Sequence, residues 1–258
     1  MTVIYSVSMN KGGVGKTTMT TNMSGVLSIE KNSRVLIIDT DGQANSTISF
    51  GLKPKKIKQS IYDVFVGDKT IDEVKIRIDD NVDIVPANDE MNFLEFDILP
   101  NLKEYNRPFA LLKDAIEQIK DHYDYILIDT PPAMGLVTFN VLVASNYVML
   151  PFVPEMYNVE GLQRVVEAIN KFKKKHNPEL EIAGVIGMMI DKRTILHASM
   201  LSKAKEYCEV KGIRFFESHI PRSIVFANAN AYENRPAVWG RKGKAVQSYY
   251  NLVEEIIK

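Results

Sequence analysis

The stretch Asn10-Lys11-Gly12-Gly13-Val14-Gly15-Lys16-Thr17-Thr18 has the residue types and spacing needed to hold a chain of phosphates. Gly12, Gly13 and Gly15 let the backbone bend tightly and turn its N–H groups toward phosphate oxygens, while Lys16 is placed to reach the terminal ones. The Thr17 hydroxyl follows at the position that coordinates Mg²⁺, and a helix starting here turns its positive end to the same anion. Asn10 stands where the ordinary motif has glycine, and Lys11 adds a second cation just before the double glycine. Gly15-Lys16-Thr17 alone is a fairly common core; with the extra lysine the pattern becomes very specific. The chemistry it predicts is binding of ATP with Mg²⁺ and hydrolysis of the terminal phosphate.

Three acids complete the set. Asp39 and Asp41 follow an apolar run as Asp-Thr-Asp-Gly-Gln, and Asp129 ends another within Ile-Leu-Ile-Asp-Thr-Pro-Pro. Each could be an ordinary loop-start acid capping a helix. Three at strand ends behind a P-loop are better placed to surround a hydrated Mg²⁺. Asp129 is expected as the metal's outer partner, and Asp41 as the residue that orients the attacking water.

Such residues need elements to position them. An apolar strand near residues 3–8 leads into the glycine loop and then into a helix with Met19, Met23, Val26, Leu27 and Ile29 on its apolar positions. Residues 34–40 (RVLIIDT) read as a strand covered on both faces, followed by polar loop over 41–49. Residues 50–107 are hard to parse beyond a short strand at 82–86 and an irregular stretch over 88–108 with room for a short helix. Further on, helices are expected at 110–119, 136–144, 160–174, 196–210 and 238–257, and strands at 125–129, 147–151, 182–190 and 213–216. This alternation predicts one α/β domain over residues 1–258, a mostly parallel twisted sheet with helices on both faces, and a ligand at the carboxyl ends of the strands.

Bulk properties agree and narrow the field. With 45% hydrophobic and 25% charged residues the composition is that of a globular chain. The start lacks a secretory signal and no run is long enough to span a bilayer, so a cytoplasmic location is expected. A single cysteine, Cys208, excludes an intrachain disulfide framework and a four-cysteine metal site. The net charge is zero, yet residues 1–150 carry 15 basic against 20 acidic side chains and residues 151–258 carry 17 against 12. A basic surface for an anionic partner would have to come from the second part. Lys171, Lys173, Lys174 and Lys175 are more simply read as favourable charges at a helix C-terminus.

With these motifs the chain resembles the ParA family of plasmid and chromosome partition ATPases, in the larger group that also holds MinD and the nitrogenase iron protein. The likeness runs over nearly the whole chain. It rests on residues 11–18, on 39–45 (DTDGQAN), on 129–132 with Gly135 and Asn140, on 151–161 with Glu155 and Glu160, on 189–193 (MIDKR), and on Ile220-Pro221-Arg222 with Pro236. The resemblance implies that Lys11 reaches across an ATP-dependent homodimer to the partner's phosphates. It also implies that Asp39 lies near the metal and couples nucleotide to dimer, that Asp41 is the hydrolytic residue, and that Met189, Asp191, Pro221 and Arg222 lie near the adenine. Where the family commonly reads Asp-x-Asp-Pro-Gln-Gly-Asn, Gly42 and Ala44 stand for proline and glycine, which predicts a freer switch loop.

Absences choose among subfamilies. Cys208 cannot supply a shared iron–sulfur cluster. The last ten residues carry Glu254-Glu255 and almost no positive charge, unlike a membrane-binding MinD-type end, so no stable membrane association is expected. A P-loop starting at residue 10 leaves no room for an N-terminal helix-turn-helix domain, which points to the short partition form. Such proteins bind DNA without sequence preference as the ATP dimer, associate with the nucleoid, and answer to a centromere-binding ParB-like adaptor. DNA contacts are expected from Arg193, Arg222, Arg235, Arg241, Lys242 and Lys244. The rival readings are a MinD-like membrane-associated positioning ATPase, a metal-cluster carrier and a metabolic kinase.

Overall fold

Short uninterrupted apolar runs such as Val35 to Ile38 can be satisfied only where both faces are covered. In the computed structural model, which describes residues 2–191 and 193–258, they form the inner strands of a seven-stranded sheet. In chain order the elements are β1 (Val3–Val7), α1 (Lys16–Glu30), β2 (Val35–Asp39), α2 (Asn45–Ser49), α3 (Ile61–Val66), α4 (Ile71–Val74), β3 (Ile76–Asp79), β4 (Val82–Val85) and α5 (Leu94–Ile98). They continue with α6 (Leu111–Glu117), β5 (Tyr125–Asp129), α7 (Leu136–Ala144), β6 (Tyr147–Phe152), α8 (Asn158–His176), β7 (Glu181–Gly187), α9 (Ile195–Lys211), α10 (Ile224–Asn228) and α11 (Lys244–Ile257). The strand order is β3-β4-β2-β5-β1-β6-β7, parallel throughout except for the antiparallel β3–β4 hairpin at one edge.

The two faces of the sheet carry separate cores. On one, β1 and β6 pack with α1, α8, α9 and α11, around side chains such as Met19, Phe152, Leu162 and Tyr249. On the other, Leu36, Ile38, Ile126 and Ile128 meet α3, α6 and α7. Side chains such as Leu36 and Ile126 are fully buried, and each contributes about 1.5–3 kcal/mol. The α11 helix spends its apolar face, Val246, Tyr249, Leu252 and Val253, on the first core. That is the core-facing terminal helix expected from its sequence.

Several boundaries differ from the sequence expectation. Residues 45–49, expected as loop, form α2, where Thr47 and Ser46 bond to the buried carboxylates at the ends of β2 and β5. The strand expected at 213–216 is reduced to an isolated bridge between Val185 and Phe215, and that at 182–190 stops at Gly187. The closing helix begins at Lys244, since residues 237–239 form a separate 3-10 turn before Gly240 and Gly243. Residues 50–107 hold α3, α4, the β3–β4 hairpin and α5. Short, half-buried pieces of this kind leave little periodicity to read. No described helix is long and apolar enough to cross a membrane.

Candidate active site

Strand register brings the acids together. Asp39 at the end of β2 lies opposite Asp129 at the end of β5, and Val7 of β1 is also opposite Asp129. The chain after β1 therefore leaves the sheet beside both carboxylates. Gly15, at the N-cap of α1, has φ of +89°, and a β-carbon there would lie 2.8 Å from Met188 Cε. Backbone and space both demand glycine. The first turn of α1 holds no acid and no side-chain cap, so its positive end is left to an external anion.

Asp129 is buried. Its Oδ2 accepts from Thr17 Oγ1 at 2.7 Å and from Ser46 Oγ at 2.8 Å, while Oδ1 is buried without a hydrogen-bond partner among the described residues. Burial pushes its carboxyl above the usual carboxylate range, against the pull of Thr17, Ser46 and Lys16. An orphaned carboxylate oxygen beside two hydroxyls is the donor set a hard divalent cation takes with its waters, so the residues fit Mg²⁺. Thr17 and Asp129 were expected here, and Ser46 joins them.

Asp39 is also fully buried but differently occupied. Its Oδ2 accepts from the Thr47 backbone N–H and from Thr47 Oγ1, both at 2.8 Å, and Oδ1 accepts from the Asp41 N–H at 3.2 Å. Burial and the nearby negative Asp129 push its carboxyl up. Thr47 Oγ1 in turn accepts from Ala87 N–H at 3.0 Å. Asp39 thus ties α2 and the segment after β4 to the end of β2, and positions the loop that carries Asp41.

That loop is tied down more than its sequence predicts. Asp41 Oδ1 accepts from Gln43 N–H at 3.0 Å, and the Ala44 N–H bonds to the Asp41 carbonyl at 2.8 Å. Ala44 takes the left-handed conformation, φ +51°, that glycine would hold with less strain. Gly42 lies so close to Asn92 that a β-carbon would strike its side-chain amide. Glycine here serves close approach, and the expectation of a freer loop gives way to one braced from both sides.

A cleft of about 530 Å³ opens above these residues. Gly12, Gly13, Gly15, Lys16, Thr17 and Thr18 line one side, Asp41 and Asn45 another, and Met189, Ala227, Asn230 and Ala231 the far wall. Lys16 is buried, and burial outweighs the neighbouring Asp129 and Asp41 to lower its pKa. Its Nζ donates to the Lys11 carbonyl at 3.3 Å. Lys11 points elsewhere. Its Nζ donates to Glu155 Oε2 at 2.8 Å and Asn158 Oδ1 at 3.0 Å, with the lysine side chain 45% exposed. This contact holds the Glu155 carboxyl below its usual range.

Of the residues expected near the base, Met189 lines the cleft, with φ of +53°. Asp191, Pro221 and Arg222 are placed elsewhere. Asp191 is engaged by the Arg193 guanidinium at 2.9 and 2.8 Å, and the Arg222 N–H is bonded to the Ile190 carbonyl, beside the Ile190–Pro221 bridge. The polar group in the far wall is Asn230, whose buried Oδ1 has no partner among the described residues. It lies in a π-helical turn after α10, a segment without readable periodicity. Ser46 and Thr47 were legible only as hydroxyls following the Asp39–Asp41 motif.

The six cations expected to face DNA do not gather as free charges. Arg193 pairs with Asp191, and Arg235 and Arg241 share Glu233. Lys242 and Lys244 flank Gly243 at the start of α11, and Arg222 lies near enough to Glu155 to lower its pKa.

Comparison with known proteins places this geometry. The AAA-domain family model matches residues 1–182. The chain is 33% identical to the sporulation initiation inhibitor protein Soj of Bacillus subtilis, over 98% of this chain and 97% of Soj. Among solved structures it is similar to cobyrinic acid a,c-diamide synthase from Mycobacterium smegmatis with bound ATP analog and magnesium, at a TM-score of 0.87 and 27% identity, covering 100% of this chain and 94% of the synthase. It is also similar to a plasmid partition protein from Borrelia burgdorferi, at a TM-score of 0.73 and 27% identity, covering 99% and 97%.

Proposed function

Because this chain belongs to the ParA/Soj/MinD family of partitioning P-loop ATPases with a deviant Walker A motif, we propose that it is an ATP-driven DNA-partition switch that dimerises around its nucleotide. It is an ATPase that works with Mg²⁺. The backbone N–H groups of Gly12 to Thr18 and the Lys16 ammonium hold the phosphates, with the positive end of α1 behind them. Thr17 and Asp129 would hold Mg²⁺, which when bound neutralises phosphate charge. Asp41, which lines the cleft, orients water toward the terminal phosphate. Asp39 keeps it there through the Asp41 N–H and Thr47.

The observation that carries the switch is Lys11. Its ammonium is held outside the cleft by Glu155 and Asn158 and remains half exposed. Such a cation can be transferred to the phosphates of a second copy when ATP joins the two. The dimer then presents the basic side chains of the second half, with Arg222, Lys242 and Lys244 among them, to the DNA backbone without reading bases. A ParB-like adaptor speeds hydrolysis, and the returning monomer releases DNA. A MinD-like membrane role lacks support, since α11 buries its apolar face in the core.

DNA retention measured with ATP, ADP and no nucleotide, on the native chain and on Lys11→Ala, tests the reading. Retention should require ATP, fall steeply with salt and disappear in the variant. Retention indifferent to nucleotide and to Lys11 would overturn it.

A further inference from the structure

The segment around α5 has apolar side chains on both of its faces. Met91, Leu94 and Ile98 point into the core, as a half-buried helix requires. Yet Phe93, Phe96 and Leu99 stand on the outer side, 60%, 77% and 44% exposed. Single exposed apolar residues are ordinary, but three at spacings of three along α5 and its two flanking residues share one side of the segment, the kind of apolar patch that marks an interaction surface. Its border is acidic. Asp89, Glu90, Asp97 and Glu104 are exposed around it, against Lys103 as the one lysine or arginine in residues 89–104.

The same segment touches both loops of the active site. Asn92 packs its side-chain amide against Gly42, the residue after Asp41, and is itself anchored by a bond from Nδ2 to the Asp89 carbonyl at 3.0 Å. Glu95 Oε1 accepts from the Leu136 N–H at 2.6 Å, at the start of α7. Gly135 is kept free of a β-carbon by that same carboxylate. Leu136 follows the loop leading from Asp129. A body pressing on Phe93 and Phe96 therefore acts on the carriers of the water-orienting and metal-side carboxylates through the neighbouring Asn92 and Glu95.

We propose that the Phe93–Phe96–Leu99 patch is the docking surface for a partner protein's peptide segment that carries lysine or arginine beside apolar side chains, and that docking changes the hydrolysis rate through Asn92 and Glu95. Charge complementarity selects this occupant: an acidic border repels nucleic acid and favours a cationic peptide, and the exposed rings supply the apolar anchors of an interface. The regulatory half rests on the ATPase switch described above; the docking half does not.

The test selects binders from a displayed library of random peptides on the full chain with Mg-ATP. Enriched peptides should be net positive with apolar side chains. They should lose at least about tenfold in affinity on Phe93→Ser/Phe96→Ser, weaken with added salt and with Asp89→Lys, and accelerate ATP hydrolysis by the native chain. On Asn92→Ala they should still bind within about twofold, the affinity effect expected away from a hot spot, while the acceleration falls. The double variant should keep its far-UV spectrum and Tm, because both rings are exposed. Enrichment without positive charge, equal binding to the double variant, or loss of ATP-dependent dimerisation in it, which would make a second copy the occupant, overturns the proposal. If docking fails while Lys11-dependent DNA retention persists, this surface is refuted and the switch stands; if that retention fails while peptides still require the two rings, the reverse holds.

Discussion

Glu155→Gln should make the ATP-bound dimer tighter. In the single chain the Lys11 ammonium is held by Glu155 Oε2 at 2.8 Å and by Asn158 Oδ1 at 3.0 Å. If Lys11 is to serve a partner's phosphates, both contacts must break in each subunit. The side chains are 45% and 52% exposed, so the ion pair belongs to the screened class worth about 0.2–1 kcal/mol. Glutamine keeps a hydrogen-bond acceptor and removes only the charge. Two subunits relieved of that cost favour the dimer by about 0.4–2 kcal/mol, a factor of about 2 to 30 in the dimer dissociation constant. Sedimentation velocity with a non-hydrolysable ATP analogue, over a range of protein concentrations and at low salt, reads this directly. The gain should shrink as salt is raised, since screening already weakens the native pair. A dimer constant unchanged or weakened at low salt would refute the view that Glu155 holds Lys11 in reserve.

Three further outcomes follow from the site. Asp41→Ala should retain ATP-dependent dimerisation and DNA retention while steady-state phosphate release drops by about 10²–10⁴, the range for a lost proton-handling group; full hydrolysis in the variant would remove Asp41 from its role. Thr47→Val keeps the shape of the side chain but strips a donor from Asp39 and an acceptor from the Ala87 N–H. It should cost about 1–3 kcal/mol and lower Tm by several degrees in a thermal melt, and a Tm equal to the native value would show that the Asp39–Thr47–Ala87 chain does not hold the loop. Mg-ATP at about a hundred times its dissociation constant should raise stability by about 2.7 kcal/mol, or roughly 5–10 °C in Tm. That rise should be lost in Gly15→Ala, where a β-carbon meets both a φ of +89° and Met188.

The sequence by itself determined the nucleotide loop and the alternation of elements. Both are local: a glycine loop needs only its own backbone freedom, and a strand buried on both faces must be apolar at every position. The same logic located β1, β2, β5 and β6, and with them the strand ends that carry Asp39 and Asp129. Within residues 50–107 only the strand at 82–86 and room for a short helix after it were legible, because α3, α4 and α5 are too short to show a period and owe their existence to packing on the sheet. Tertiary structure alone decided how the carboxylates differ. Asp39 and Asp129 look alike in sequence, yet one is spent on Thr47 and the Asp41 backbone while the other keeps an unpaired oxygen beside Thr17. It also placed Lys11 on Glu155, removed Asp191 and Arg222 from the cleft, and gave Gly42 its reason in Asn92. Each of these depends on which distant segment arrives opposite a side chain. Strand register and the packing of helices set that, and no spacing along the chain encodes it.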